Sequence, residues 1–281
     1  MSQELIQEFL VSNPFANTTK ILYGGVLKHV LAETGTLTAL TSEMLRKFVD
    51  RPNWGDNHRW AAYSAIKSFY KWHFGNTDRL NKFHMKKPKE TPQRSLDKDQ
   101  VIKLFGIFNP NKPKDMRDRA AILLMIDTGM RISEVCSLRL DQVDLKNNNY
   151  SVLAKGGRWH TGIFSVRTSD AIAEWLLVRC DFAHIDTPHL FISVGGNTRG
   201  RQLVRGGYSH ELAKLGPRAG IGVISPHDFR RTFAILSCLQ GVPEVILMRA
   251  GGWTSTSYIA RYTQTMKAED FRPYLPSNAV F

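Results

Sequence analysis

Ser225-Pro226-His227-Asp228-Phe229-Arg230-Arg231 is the stretch from which the rest of the chain is best read. Ser225 can cap a helix, and Pro226, which has no N–H to satisfy, suits the first helical position. His227 and Arg230 then stand three residues apart, on one face of the opening turn. Free N–H groups and positive potential make that end of a helix attractive to a phosphate. Arg230 can offer a bidentate fork to two phosphate oxygens. His227 can pass a proton near neutral pH. Alone, HxxR is a weak sign, because a helix cap beside a surface salt bridge has the same sequence.

Three further pieces lie to either side. In Thr128-Gly129-Met130-Arg131-Ile132-Ser133-Glu134 a glycine turn precedes Arg131, which can be held rigidly where two helices meet, with Glu134 three residues on to brace it. In Ala154-Lys155-Gly156-Gly157-Arg158 a lysine sits at a hairpin tip and reaches outward. Gly251-Gly252-Trp253 is followed by a short helix, capped by Thr254 or Ser255, on which Tyr258 and Tyr262 share a face one turn apart. Each has an ordinary reading too: a common ion pair, a solvated turn lysine, core tyrosines with one hydrogen bond.

The setting for these pieces is a basic chain of 281 residues with net charge +13 and 42% apolar residues. That is enough for a sizeable core and suggests two domains. The charge favours an anionic polymer as partner, nucleic acid more often than membrane, although a solvated basic surface is the plain alternative. Cys136, Cys180 and Cys238 are scattered, with no CxxC pair, and read as buried small residues in a reducing, cytoplasmic compartment (nucleoid-associated in a prokaryote). No charged segment precedes an apolar run at the N-terminus, and no stretch approaches membrane-span length. The nine histidines are dispersed, with no metal-binding spacing.

The clearest seam is Lys86 to Arg94, KKPKETPQR, with two prolines and no apolar residue. It divides a helical N-terminal domain, 1–85, from a domain over 95–281. In the first, helices are expected at Ser2–Leu10, Thr18–Glu33, Ser42–Val49 and Asp56–Phe74; the last carries Trp60, Tyr63, Ile66, Tyr70 and Phe74 at helical spacing as core. Lys67 and Lys71 form an edge of that helix suited to phosphates. In the second domain Ser95 reads as the cap of a helix over Asp97–Phe108, and another runs from about Lys114 to Asp127, ending near Gly129. A new helix starts near Ile132. Strands are expected at Tyr150–Leu153 and Ile163–Val166, and a helix at about Asp170–Val178. A glycine-rich stretch, Gly195 to Gly207, holds Arg199, Arg201 and Arg205, and the last third is helical. The fold class is mainly α with a small β-sheet in the C-terminal domain.

TGMR, AKGG, HDFRR and GGW…RY occur in one order, and together they resemble the tyrosine recombinases, the phage integrase family, in their simple two-domain, Cre- or Xer-like form. The resemblance covers roughly Ser95 to the C-terminus. It implies that Arg131 and Arg230 clamp the phosphate, that Lys155 is the hairpin lysine and general acid, that His227 is the histidine of HxxR, that Tyr262, nine residues after Trp253, is the nucleophile, and that Glu134 supports Arg131. Most members have histidine where Trp253 stands, though tryptophan occurs, and its indole N–H would donate to the phosphate. Many also have histidine where Arg231 stands.

What the family then implies is site-specific DNA recombination: cleavage through a 3′-phosphotyrosyl bond, Holliday-junction exchange, and four protomers on two synapsed double-stranded sites, monomeric off DNA. It implies no metal and no cofactor, because arginines carry the charge work. The N-terminal domain would be the core-DNA-binding domain. Candidate DNA contacts are Lys67, Lys71, Arg158, Arg199, Arg201, Arg205 and Arg231, although Arg199, Arg201 and Arg205 read equally as a mobile surface loop. The apolar tail with Phe271, Tyr274, Leu275, Val280 and Phe281 packs on a neighbouring protomer or on its own domain. The rival readings are a type IB topoisomerase or telomere resolvase with the same chemistry, a relaxase, which would want clustered histidines, and a catalytically silent DNA-binding protein of the same fold.

Overall fold

The computed structural model describes residues 2–88, 94–154, 157–263, 266 and 269. Within that description the chain falls into two compact units, Met1–Thr91 and Pro92–Phe281. The first is all helical: α1 (Ser2–Ser12), α2 (Asn17–Thr34), α3 (Ser42–Val49), α4 (Asp56–Phe74) and a 3-10 turn at Asp78–Leu80. Its core is aromatic. Phe9 and Phe69 meet edge to face at 5.6 Å, and Tyr63, Ile66 and Tyr70 of α4 are buried, with Trp60 and Phe74 partly so. The Tyr70 hydroxyl is satisfied by the backbone of Leu40, accepting from its N–H at 2.7 Å and donating to its carbonyl at 3.3 Å. Lys71 is exposed on the same helix. Lys67 is half-buried and donates to Asn81 Oδ1 at 3.0 Å.

The second unit holds α5 (Lys98–Phe105), α6 (Pro113–Thr128), α7 (Ile132–Ser137), a three-stranded antiparallel sheet of β1 (Val143–Asp144), β2 (Asn149–Ala154) and β3 (Arg158–Ile163), then α8 (Val166–Arg179), α9 (Arg205–Arg218), α10 (Pro226–Leu239), α11 (Glu244–Ala250) and α12 (Ser257–Thr263). The mainly α class with a small sheet is the observed one. α6 is the central element, buried along most of its length.

Local chemistry shifts some of the boundaries expected from sequence. Asp97, not Ser95, caps α5: its carboxylate accepts from Gln100 N at 2.8 Å while Gln100 Oε1 accepts from Asp97 N at 3.3 Å. A glutamine at the third helical position completes the box for Asp97 and has no counterpart for Ser95. The second hairpin strand is Arg158–Ile163, not Ile163–Val166, paired from Ala154↔Arg158 to Asn149↔Ile163. Its large side chains Trp159 and Ile163 face outward, 65% and 77% exposed, so apolar alternation points to the wrong residues. Ser165 instead caps α8, its hydroxyl accepting from Thr168 N at 3.2 Å. The glycine-rich stretch ends in a helix rather than a loop. Tyr208, Leu212 and Leu215 are buried at helical spacing and drive α9, while Gly206 and Gly207 sit in its first turn, where a poor helix former costs little. Of the cysteines only Cys136 is buried; there burial pushes its thiol up to about 12. Cys238 is half-buried, and Cys180, the residue that ends α8, is exposed.

α6 and α9 are joined by a buried ion network. Arg117, 1% exposed, donates to Asp118 Oδ1 at 2.6 Å, to Glu211 Oε2 at 2.7 Å and to the Ile192 carbonyl at 3.1 Å. Its guanidinium also lies 5.3 Å over the ring of Tyr208. Removing one partner of such a cluster strands the rest. Arg117→Ala is therefore expected to lower the urea unfolding free energy by about 3–5 kcal/mol. A loss below about 1 kcal/mol would mean that α9 is held by its apolar face alone.

Candidate active site

Arg131 is the residue before α7, fixed at both ends by one carboxylate. Glu134 Oε2 accepts from the Arg131 backbone N–H at 2.7 Å, and Oε1 accepts from its Nη1 at 2.9 Å. The carboxylate is almost fully buried and a third of the Arg131 side chain is exposed, so the guanidinium is aimed from behind and open in front. Gly129 ends α6 in the left-handed conformation, φ 64°, and a β-carbon there would lie 2.4 Å from the ring of Phe233. No other residue type fits both the conformation and the contact.

Arg230 is buried, 3% exposed, and its seat is made by the two glycine turns. Nη1 donates to the Gly129 carbonyl and Nη2 to the Gly251 carbonyl, the latter at 2.7 Å. The plane of the guanidinium lies 4.7 Å from the Trp253 ring centroid. Gly251 is itself packed on that ring, where a β-carbon would come within 2.7 Å. TGMR and GGW thus do more than present their own functional side chains: each supplies a carbonyl that orients Arg230. Trp253 is buried and packs against Phe233 with ring centroids 5.9 Å apart.

Met130, Arg131, Ile132, Ser133, Arg205, Ser209, Pro226, His227 and Arg230 line one cavity of about 180 Å³. Three arginines, one histidine and two serines face it, and no described carboxylate does. α9 and α10 both begin at its wall, with Arg205 and Pro226 as first residues, so two helix N-termini add to the positive potential. Such a cavity is suited to an anion, and forked donors match the oxygens of a phosphodiester. From the sequence Arg205 reads as one of several loop arginines and Ser209 carries no signal of its own; the helical spacing of Tyr208, Leu212 and Leu215 is the feature that points to α9 and so to both.

Desolvation, and then the charges of Arg231, Arg230 and Arg131, hold the His227 imidazole below its ordinary range, with Asp228 opposing them. The shift favours the neutral imidazole near pH 7. A depressed histidine contributes stability above its unfolded value that is lost as pH falls through the folded one. The His227 ring proton signal in the free protein is expected to titrate with a midpoint below about 6.5, moving upward when inorganic phosphate is added. A midpoint at or above the ordinary value without phosphate would contradict the cationic site. Tyr150, beside Thr128, is buried, and burial pushes its hydroxyl up to about 12.

Tyr262 lies on α12, which is anchored by the fully buried Ile259 in a cluster with Phe233, Ala234, Leu247 and Trp253. The side chains of Tyr258 and Tyr262 are outside the described set, as are Lys155, the side chain of Arg158, and Phe271, Tyr274, Leu275, Val280 and Phe281 of the tail. The remaining candidate DNA contacts lie elsewhere. Arg199 donates to the Asp181 carbonyl at 3.3 Å and covers the Phe182 ring, and Arg201 lines a shallow cavity with His184 and Asp186. Arg231 Nη1 donates to Asp228 and to the Arg94 carbonyl. Among the described residues no group of acids, histidines and cysteines gathers as for a metal, and no helix is long and apolar enough to cross a membrane.

A cavity of this composition, set in a helical unit with a small sheet and followed by a tyrosine-bearing helix, is the arrangement expected of the tyrosine-recombinase class. The model of the phage integrase family matches residues 94–269. Tyrosine recombinase XerA of Pyrococcus furiosus is 30% identical over 202 residues, 71% of this chain and 67% of that protein. Tyrosine recombinase XerC of Bacillus subtilis is 30% identical over 213 residues, 73% of this chain and 69% of the relative. Among solved structures, the Tn1549 transposon integrase in complex with transposon right end DNA gives a TM-score of 0.75 at 15% identity, covering 99% of both chains. The XerH site-specific recombinase bound to palindromic difH substrate gives 0.71 at 16% identity, covering 92% of this chain and 80% of that one. At those identities the likenesses show the fold. The chain belongs to the phage integrase family, as a tyrosine site-specific recombinase.

Proposed function

We propose that the chain cuts and rejoins double-stranded DNA at specific sites through a 3′-phosphotyrosyl bond to Tyr262. The observation that carries this reading is the cavity in which Arg131, Arg205, His227 and Arg230 converge without a described carboxylate. A phosphodiester resists attack because its oxygens are negative and its leaving group is poor. Arg131 and Arg230 bind the two non-bridging oxygens. Their opposite fixings, one to Glu134 and the other to two backbone carbonyls, set the angle between the two forks before DNA arrives. The Tyr262 oxygen forms the new bond to phosphorus, the bond to the 5′-oxygen breaks, and Lys155 supplies the proton for the leaving hydroxyl. His227, neutral in the free protein, completes the hydrogen bonds to the phosphate, with Trp253 covering one face of Arg230. Arg205 and Ser209 extend the grip toward the phosphate backbone.

The broken diester is conserved as a phosphotyrosine, so a 5′-hydroxyl from another strand reverses the step and the chemistry needs no nucleotide cofactor and no metal. By analogy with the family, four protomers exchange one pair of strands at a time on two synapsed sites, through a Holliday junction. The N-terminal unit lies against DNA through a helix edge including Lys67 and Lys71, and Arg158, Arg199 and Arg201 contact the backbone.

The test is covalent trapping without metal, on nicked duplexes drawn from DNA flanking the gene or from a randomised pool. The nick lets the cleaved fragment diffuse away, so a detergent-stable protein–DNA band accumulates. No band on any DNA that the protein demonstrably binds would favour the silent binding protein.

A further inference from the structure

Arg94 closes the linker, and its side chain is bonded at both nitrogens of its guanidinium fork. Its guanidinium donates to the carbonyls of Val223, at 2.7 Å, and Ile221, in the loop that leads into α10. Its own carbonyl accepts from Arg231 Nη1 at 3.1 Å, and the same nitrogen donates to Asp228 Oδ1 at 2.9 Å. Asp228 in turn accepts from Ser225 N at 2.7 Å through its other oxygen. Two residues on, Leu96 is held by Thr232: its N–H donates to Thr232 Oγ1 at 2.9 Å, and that hydroxyl donates to the Leu96 carbonyl at 3.4 Å. Thr232 is fully buried and Leu96 nearly so. The segment Arg94–Leu96 therefore holds the chain on both sides of His227 and Arg230, at 221–223 in the loop before α10 and at 231–232 on α10 itself.

We propose that Arg231 and Thr232 are positioning residues that fasten the end of the interdomain linker to α10, so that the linker end and the helix carrying His227 and Arg230 move as one body. A displacement of α10 by about 1 Å would cost cleavage on the order of 100-fold, which is the leverage the strap has. Strain or slack introduced upstream of Arg94 is thereby felt at the phosphate-binding arginine. This inference rests on the phosphotyrosyl reading only for its effect on cleavage; the mechanical coupling stands on the contacts themselves.

The experiment pairs hydrogen exchange by mass spectrometry on the full chain with covalent trapping on nicked DNA, for wild type, Thr232→Val, Arg231→Ala and Arg231→Lys. Thr232→Val is close to isosteric and replaces the hydroxyl with a methyl group. It and Arg231→Ala are expected to speed exchange both in Arg94–Leu96 and in the first two turns of α10. They should slow cleavage about 10-fold while DNA affinity stays within about 3-fold, because backbone contacts elsewhere carry binding. Arg231→Lys should recover most of the rate. The double variant should be no slower than its worse parent, since both residues act through one strap. Faster exchange confined to Arg94–Leu96 with cleavage at the wild-type rate would overturn the proposal, as would a rate loss that only follows the unfolded fraction. If wild type itself forms no covalent complex, the phosphotyrosyl reading fails instead. The strap is then judged by exchange alone: it stands if α10 opens with Arg94–Leu96 and falls if it does not.

Discussion

Tyr262→Phe is expected to abolish the covalent protein–DNA complex, a loss of about 10⁴-fold or more in cleavage, with site binding unchanged. Phenylalanine keeps the ring and removes only the oxygen that would form the bond to phosphorus. Other described tyrosines of the second unit are poor alternatives. Tyr150 and Tyr208 are fully buried, and burial drives both hydroxyls upward, away from the phenolate that attack requires. A free phenol, at about 10, needs cations beside it to lose its proton near neutrality. The arginines that line the cavity, Arg131, Arg205 and Arg230, are the cations on which the proposed attack would draw. Tyr258 is the real competitor, being on the same helix. Its spacing from Trp253 is five residues against nine for Tyr262. Tyr258→Phe should therefore trap at close to the wild-type level. A band lost in Tyr258→Phe and kept in Tyr262→Phe would preserve the chemistry and move the nucleophile by one helical turn.

How much of this was legible in the sequence differs by kind of residue. Three of the pieces that meet at the cavity could be read because each joins a polar or aromatic side chain to a backbone signal: glycine before Arg131, proline before His227, a double glycine before Trp253. The helices of the first unit could be read because their apolar period is uninterrupted; α3 and α4 begin and end where the pattern says. What could not be read depends on partners distant along the chain. That the carbonyls of Gly129 and Gly251 both accept from one arginine spans 101 and 21 residues, and no local spacing encodes it. The strap from Arg94 to Arg231 spans 137. The outward face of β3 is apolar, which hides its alternation, and two glycines mask the start of α9, where Arg205 stands. Arg231 illustrates the same limit: its charge suggests a phosphate contact, whereas its described guanidinium partners are Asp228 and a backbone carbonyl.

Arg230→Ala is expected to reduce cleavage by about 10³-fold or more while DNA affinity changes only a few-fold. The two effects separate because affinity is spread over many backbone contacts, whereas the charge that develops on the non-bridging oxygens is met by only a few groups. Arg230→Lys should rescue little. Lysine keeps the charge, but an ammonium is a point donor on a flexible stem and lacks the plane that stacks on Trp253. It also cannot satisfy the carbonyls of Gly129 and Gly251 together in the geometry the guanidinium uses. Both variants should lose stability, by about 1–3 kcal/mol, because a buried carbonyl is left without its donor. That loss is small enough for the protein to remain folded at the assay temperature, so circular dichroism and DNA binding on the same samples distinguish a misplaced arginine from an unfolded chain. If Arg230→Lys cleaved within about 10-fold of wild type, charge alone would suffice. The glycine seat would then serve packing rather than catalysis. If it fails as Arg230→Ala does, the orientation built by two glycines and an indole is what the reaction uses, and the reason that tryptophan works at position 253 is that it supports an arginine.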